Sequence, residues 1–194
     1  MPNYTRQYQS YAAALVRPRG GSAGSRPIAG TVVSRARTSI DSHFRSNPDH
    51  RLRHLYFVGH GSLGDFALSG HLIAGEFVAL STGSRLDAGD SSFWRTVVGK
   101  MLVADDSMGQ APHNIDFRAC NLGAGSLATL IANTFGRREL LGSVYSSRAG
   151  FEFQPERRGG HLRIRARTEG GNWVYPPARP RGGTARIVSF GGGG

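Results

Sequence analysis

The sequence is poor in cysteine, lysine and acidic residues, and each shortage limits what the chain can be. One cysteine in 194 residues excludes an internal disulfide. Thirteen acidic residues stand against 24 Lys and Arg, for a formal net charge of +11, and Lys100 is the single lysine. No apolar run is long enough to cross a membrane or to form the apolar region of a signal peptide. We therefore expect no membrane span, and a protein that is cytoplasmic or exported without a recognisable signal peptide.

The positive charge is concentrated in the two ends of the chain. Residues 1–60 contain nine Arg and two Asp, and residues 151–194 contain eight Arg and three Glu. Residues 61–150 are nearly balanced, with seven Lys and Arg against eight Asp and Glu. Basic flanks could bind a polyanionic activator, or they could simply be solvated ends. Nucleic acid is a less expected partner because aromatic side chains do not alternate with the arginines.

Composition also divides the chain into three parts. Residues 18–30 are rich in Gly, Ser, Arg and Pro, which predicts a flexible linker, so we expect residues 1–30 to be a flexible basic segment. Residues 31–170 are long enough for one globular domain. Residues 171–194 are rich in Pro, Gly and Arg, end in four glycines, and predict a tail outside that domain.

Within residues 31–170, apolar spacing predicts alternating helices and strands. Helices are expected over 31–46, 91–102 and 124–135, and the main strands over 54–58 and 114–119. Residues 161–167 alternate apolar residues with arginine, which is typical of an edge strand with one charged face. This order predicts an α/β sandwich with a mainly parallel central sheet, whose sites lie at the carboxyl ends of the strands.

Two motifs place chemistry at those strand ends. In HLYFVGHGS, His60 follows the first main strand, and in NIDFRACNLG, Cys120 closes the second. A thiol next to an imidazole base is an activated nucleophile for acyl transfer. The backbone N–H groups of Gly61 and Cys120 are candidate donors to the oxyanion of that reaction. The alternative is that Cys120 is simply a small core residue.

The pattern of an apolar strand, His60-Gly61, then about sixty residues later a second apolar strand and Ala119-Cys120, resembles the caspase-like (clan CD) cysteine peptidases of bacterial type. The resemblance covers about residues 50–150. It implies a caspase-like α/β/α sandwich and a Cys120–His60 dyad that hydrolyses a protein or peptide substrate through an acyl-enzyme, without a cofactor or metal. The basic ends could also be removed by self-cleavage, for example near Arg19, Arg26 or Arg157-Arg158.

Substrate preference stays open at this point. Caspases carry Gln-Ala-Cys-Arg-Gly around the nucleophile, whereas this chain has Arg118-Ala119-Cys120-Asn121. In the family, the side chain two residues before the nucleophile lines the primary specificity pocket, which implies that Arg118 favours an acidic substrate residue. Asp65 would instead favour Arg or Lys, and Asn121 is a third candidate for substrate binding. Alternatively, Arg118 pairs with Asp116 or faces solvent.

Other functional classes are also open. The chain could be a catalytically inactive caspase-like interaction module or, less expected, a basic nucleic-acid-binding protein. HGSLG resembles the nucleophile turn of serine hydrolases, but His60 stands where that turn has its first glycine. The sequence has neither the paired cysteines nor the His-Glu-x-x-His spacing that would predict a metal site.

Overall fold

The computed structural model describes residues 4–15, 32–68, 70–73, 76–79, 83–101, 112–136 and 140–191. The helices in these ranges are α1 (Tyr4–Leu15), α2 (Val33–Ser46), α3 (Ser91–Met101) and α4 (Leu127–Gly136). The strands are β1 (His54–Val58), β2 (Asp65–Ala67), β3 (Gly70–Ile73), β4 (Glu76–Ala79), β5 (Arg85–Asp87), β6 (His113–Arg118), β7 (Gly142–Ser147), β8 (Phe151–Arg158), β9 (His161–Thr168) and β10 (Ala185–Phe190).

A four-stranded sheet forms the centre of the fold, in the order β1-β6-β7-β10. Strands β1, β6 and β7 are parallel, and β10 pairs with β7 in the antiparallel direction. The other strands form three two-stranded ribbons: β2 with β5, β3 with β4, and β8 with β9. The mixed α/β class and the mostly parallel central sheet, flanked by helices, are therefore confirmed.

One face of the sheet carries the larger apolar core. Side chains of a strand alternate between faces, so Phe57 of β1 and Phe117 of β6 point the same way, and their rings stack with centroids 4.6 Å apart. Helices α2, α3 and α4 bury their apolar stripes in the same core. In α3 the buried residues recur at helical spacing, as the sequence predicts; they are Phe93, Trp94, Val97, Val98 and Met101.

The opposite face of the sheet is covered by α1 and the β8–β9 hairpin. These elements share a second apolar cluster with Tyr145 of β7; its buried members are Tyr11, Leu15, Tyr145, Phe151, Ile164 and Ala166. The fold thus has three layers: helices α2–α4, the sheet, and a layer of α1 with the hairpin. The motifs that contain His60 and Cys120 end at the edge of the sheet, next to the layer formed by α1 and the hairpin.

Two predicted boundaries are wrong for the parts of the chain that the structure describes. Residues 1–30 were expected to be flexible, but residues 4–15 form α1, with Tyr11 and Leu15 buried at helical spacing against the sheet. Residues 16–31 lie outside the described residues. Residues 171–194 were expected to be a tail, but β10 is a strand of the central sheet and Phe190 is buried in the larger core. The domain therefore includes both of these elements.

The described helices were also tested for the ability to cross a bilayer. Within the described ranges, none is both long enough and apolar enough to do so. The longest, α2, has 14 residues, whereas about 20 apolar residues are needed.

Candidate active site

The register of two neighbouring strands brings His60 beside Cys120. Strands β1 and β6 pair in parallel from His54 with Asn114 to Val58 with Arg118, a constant offset of 60 residues. The Gly59 N–H donates to the Arg118 carbonyl at 3.4 Å, which continues the pairing beyond the last strand residue. At the same offset His60 stands beside Cys120, on main chains about 5 Å apart. Both residues therefore leave the sheet at the same carboxyl edge.

The two side chains also share a face of the sheet. Alternation along β1 and β6 places His60 with Tyr56 and Val58, and Cys120 with Asp116 and Arg118. This is the face under α1 and the hairpin, and Cys120, Tyr56 and Val58 all pack against the second apolar cluster. His60 and Cys120 are each only partly buried. The thiol and the imidazole thus both lie in the layer between the sheet and α1.

Glycines allow the two motif loops to pack directly against each other. A Cβ placed on Gly61 would lie 2.6 Å from the carbonyl oxygen of Cys120. A Cβ placed on Gly125 would overlap the carbonyl oxygen of Leu63. Because real Cβ atoms do not approach oxygen so closely, these positions exclude any side chain. Gly61 and Gly125 therefore serve the contact between the loops that follow β1 and β6.

The Gly61 amide, a candidate oxyanion donor in the sequence, is left out of the pairing with β2. Gly61 pairs with Phe66 of β2 as an antiparallel bridge. The flanking hydrogen bonds, each 2.9 Å, run from the Ser62 N–H to Asp65 and from the Ala67 N–H to the His60 carbonyl. Successive amides of an extended chain point to opposite edges. The Gly61 N–H consequently takes no part in this pairing and points away from β2.

His60 is contacted by an aromatic residue of α1. The Tyr8 ring meets the imidazole edge-on, with centroids 5.1 Å apart, and also meets Phe153 of β8 at 5.2 Å. Burial lowers the pKa of His60 below its ordinary value of 6.5 because the charged imidazolium is poorly solvated there. His60 is therefore neutral at neutral pH, which is the form that accepts a proton.

The Cys120 sulfur is bound by the first residue of β8. The Phe151 N–H donates to the Cys120 Sγ at 3.3 Å, and the thiol donates to the Phe151 carbonyl at 3.8 Å. Cysteine is a weak donor and acceptor, so these contacts hold the sulfur loosely. Sequence reasoning did not identify Phe151, since nothing in the motif around Cys120 points to a residue 31 positions later.

Arg118 is a structural residue in this conformation and not an open specificity residue. Its side chain is 0% exposed and donates to Asp116 at 2.8 Å. It also donates to the carbonyl oxygens of Pro177 and Ala178, at 3.3 and 3.0 Å. The pairing of Arg118 with Asp116, which the sequence left open as an alternative, is thus confirmed. Arg179 binds the same carboxylate at 2.9 Å and anchors the segment before β10 on this face.

The other two candidates for substrate binding stabilise the motif loops. Asp65 accepts hydrogen bonds from Arg85 at 2.8 Å and from the Ser62 hydroxyl at 3.0 Å, so its carboxylate is already paired. Asn121 adopts a left-handed conformation with φ of 62°, and its N–H donates to the Ala149 carbonyl at 2.9 Å. Asn and Asp tolerate this conformation better than most residues. Asn121 therefore shapes the turn that follows the thiol, and its exposed side chain remains beside the site.

Several polar atoms beneath α1 are buried without a hydrogen-bond partner among the described residues. They are the hydroxyls of Tyr11 and Tyr145 and the Nε of Arg118. Arg118 lies over the Tyr145 ring, 4.9 Å from its centroid. Burial raises the pKa of Tyr11 to about 12 and also raises the pKa of Tyr145, so both hydroxyls keep their protons at neutral pH. Each unpaired donor costs about 1–3 kcal/mol of stability.

Comparisons of the chain with protein-family models, with curated proteins and with solved structures found no match. Function is therefore inferred from the geometry of the site. Its reactive groups are one thiol, one neutral imidazole and the neighbouring backbone amides. In the part of the chain that the structure describes, no group of three or more His, Cys, Asp or Glu side chains is arranged to hold a metal ion. The groups that are present suit acyl transfer.

Proposed function

We propose that the chain is a caspase-like cysteine endopeptidase, with Cys120 as the nucleophile and His60 as its base. The observation that carries this proposal is the offset of 60 between β1 and β6, which sets His60 beside Cys120 at the carboxyl edge of the sheet. A cysteine that only filled the core would not need an imidazole at the same level. The Gly61 N–H, which is not used in the pairing with β2, is the candidate donor to the negative charge that the reaction develops.

The proposed reaction follows from these groups. His60 takes the proton from the Cys120 thiol, and the thiolate attacks the carbonyl carbon of a peptide bond. The Gly61 and Cys120 N–H groups donate to the oxyanion that forms. The carbon–nitrogen bond then breaks, His60 gives its proton to the leaving amine, and the acyl group stays on sulfur. Water, deprotonated by His60, hydrolyses this thioester, releases the carboxylic acid and restores the thiol. No cofactor enters these steps.

The substrate in this proposal is a protein or peptide, and one substrate is the chain itself. Arg157 and Arg158 are exposed at the end of β8, where another molecule of the enzyme can reach them. The same arginines leave positive charge on the surface for a polyanionic activator. Incubating wild-type protein with catalytically inactive Cys120→Ala protein tests self-processing, because cleavage of the inactive chain requires a second, active molecule. An intact Cys120→Ala chain after prolonged incubation contradicts it.

The deciding experiment measures adduct formation with a peptide-like thiol electrophile by intact mass. Since the chain has one cysteine, every thiol adduct reports on Cys120. We expect stoichiometric labelling of the wild type, none of Cys120→Ala, and labelling at least tenfold slower in His60→Ala. His54→Ala is the matched control, because His54 begins β1, at the end of the strand opposite to the loop that carries His60. Equal rates in wild type and His60→Ala contradict the dyad.

A second candidate is an interaction module without catalysis, which two observations favour. The Cys120 thiol is bound by the Phe151 main chain, and α1 lies over the site. This candidate would be supported if every variant with an exposed thiol were labelled slowly, and if His60→Ala did not change the labelling rate. A nucleic-acid-binding protein is less favoured, because Arg165 and Arg167 are held by Gln154 and Glu152 and lie against the Trp173 ring. A salt-dependent gel shift that survives Cys120→Ala would favour that class.

A further inference from the structure

We propose that α1 is a displaceable cover over the Cys120–His60 site, so that access to the thiol requires α1 to leave the sheet. A role of α1 in regulating activity rests on the proposed peptidase function. The claim that α1 shields the thiol does not depend on that function. Three observations carry the inference: the position of α1, the nature of its attachment, and the polar surface on which it lies.

The position of α1 blocks both members of the dyad. Tyr8 lies edge-on against the His60 ring. One turn further along the helix, Tyr11 is 0% exposed and belongs to the apolar cluster against which Cys120 packs. A peptide that reached the Cys120 sulfur from this side would meet α1 first. The helix thus occupies space that a substrate needs.

The attachment of α1 consists largely of ring and aliphatic contacts. Tyr8 and Tyr11 both pack edge-on against Phe153, and Leu15 is buried in the same cluster. The helix has 12 residues, with no acidic residue in its first turn and no basic residue in its last. A helix of this length without charges that complement its dipole is marginal on its own in water. Undocking of α1 is therefore coupled to its unfolding, and its surface contacts decide how often it opens.

The surface beneath α1 is unusually polar for a permanent interior contact. On the sheet, Tyr145 buries its hydroxyl and Arg118 its Nε without partners among the described residues, and the hydroxyl of Tyr11, from α1 itself, is buried in the same way. Native interiors pair nearly all such groups. Except in its last turn, a docked helix uses its backbone carbonyls in its own hydrogen bonds, whereas an extended peptide has carbonyls free along its length. Covering this surface with α1 is consequently less favourable than covering an apolar one, which keeps the cover displaceable.

The test is alkylation of Cys120 by iodoacetamide in the full chain, followed by intact mass. Each rate is divided by the rate of the same variant in concentrated urea. Tyr11→Ala removes the main anchor and should speed alkylation at least tenfold. Tyr11→Phe keeps the ring and removes the unpaired hydroxyl, so it should slow alkylation severalfold. Tyr11 takes no part in the proposed reaction, and neither change touches His60. Leu15→Ala is a second loosening variant, should Tyr11→Ala fail to fold.

A control variant separates opening of α1 from general loosening of the fold. Val98→Ala truncates a buried residue of α3 in the core on the opposite face of the sheet. It should change the alkylation rate less than twofold, whereas hydrogen exchange of residues 4–15 should accelerate in Tyr11→Ala and Leu15→Ala alone. Unchanged or slower alkylation in both loosening variants overturns the cover. Equal acceleration in Val98→Ala overturns it as well.

Peptide hydrolysis by the same variants distinguishes failure of the cover from failure of the peptidase proposal. Faster alkylation of Tyr11→Ala without hydrolysis of any peptide retains the cover and removes the peptidase. Hydrolysis by the wild type, with alkylation indifferent to Tyr11 and Leu15, retains the peptidase and removes the cover.

Discussion

The main chains at Gly61 and Cys120 touch: a Cβ on Gly61 would lie 2.6 Å from the Cys120 carbonyl oxygen and 2.9 Å from the Leu122 side chain. The residue after the imidazole and the residue with the thiol are thereby fixed against each other. The contact depends on the absence of a side chain at position 61. The glycine that follows His60 is therefore a requirement of the loop packing, in addition to any role of its amide.

Gly61→Ala should destabilise the protein by about 1–3 kcal/mol, because the added methyl group forces the two loops apart. Urea denaturation of the variant and the wild type measures the loss. Gly64→Ala, in the same loop, is the matched control, since a Cβ there meets nothing within 4 Å. Equal stability of the Gly61 variant and the wild type would show that the loops do not pack as described.

The pH dependence of stability should reveal the buried imidazole. Burial lowers the pKa of His60 from 6.5, so the unfolded chain binds this proton more readily than the folded chain. The contribution of His60 to stability is then complete above pH 6.5 and is lost as the pH falls through 6.5 towards the folded pKa. His60→Gln should lose less stability than the wild type over that range, as urea denaturation at several pH values can measure. An identical pH dependence would contradict the burial.

Removing Tyr8 should raise the pKa of His60 back towards 6.5. The Tyr8 ring covers one edge of the imidazole, and its loss readmits the water that solvates the charged form. Titration of the His60 ring by NMR in wild type and Tyr8→Ala measures the change. A matched Tyr8→Phe variant keeps the ring and should leave the titration where it is in the wild type. A fall on Tyr8→Ala would mean that Tyr8 does not shield His60.

Arg118→Met should cost about 3 kcal/mol, because it leaves the carboxylate of Asp116 buried with one of its two arginines removed. Arg118 is 0% exposed and Asp116 is 2% exposed, so water cannot replace the lost partner. Arg85→Met breaks the ion pair with Asp65, whose side chains are 41% and 25% exposed, and should cost less than about 1 kcal/mol. Similar losses in the two variants would contradict the burial of the Arg118 pair.

Phe190→Ala should destabilise the protein by about 3–5 kcal/mol if β10 belongs to the domain. Phe190 is 4% exposed in the larger core. Ile187→Ala is the control on the same strand, since Ile187 is 47% exposed and its loss should change stability by about 0.5 kcal/mol or less. Thermal and urea denaturation measure both. If Phe190→Ala left the stability unchanged, residues 185–190 would be a tail outside the domain.

The strands that carry His60 and Cys120 were predictable because each is an apolar run bounded by polar residues and glycine. The sequence places β1 at 54–58, as observed, and β6 within one residue of its observed start at His113. The edge strand β9 was also predictable, from its alternation of arginine with apolar residues. These elements carry strong local patterns, and the parallel sheet follows from their alternation with helices.

Other features depend on contacts between residues far apart in the sequence. Helix α1 contains several tyrosines and precedes a Gly- and Arg-rich stretch, so its composition predicts a flexible segment. The burial of Tyr11 against the sheet is not visible in that composition. Strand β10 is short and surrounded by glycine and arginine, and its partner β7 lies about forty residues earlier. Strand β8 contains Pro155 and four charged residues, a composition that does not predict a strand. Its pairing with β9 stabilises the extended conformation. The Phe151 contact with the thiol likewise arises only in three dimensions.

The glycine contacts between the two motif loops also bear on how the site would respond to a ligand. The main chains that carry the imidazole and the thiol are packed against each other, so in the proposed peptidase a substrate would not have to bring these two segments together. Docking and undocking of α1 over the site would then alter the rate constant of substrate association. The rate constant of acylation would stay the same. Pre-steady-state kinetics would show this as a change in the concentration dependence of the acylation burst, with its maximum rate preserved.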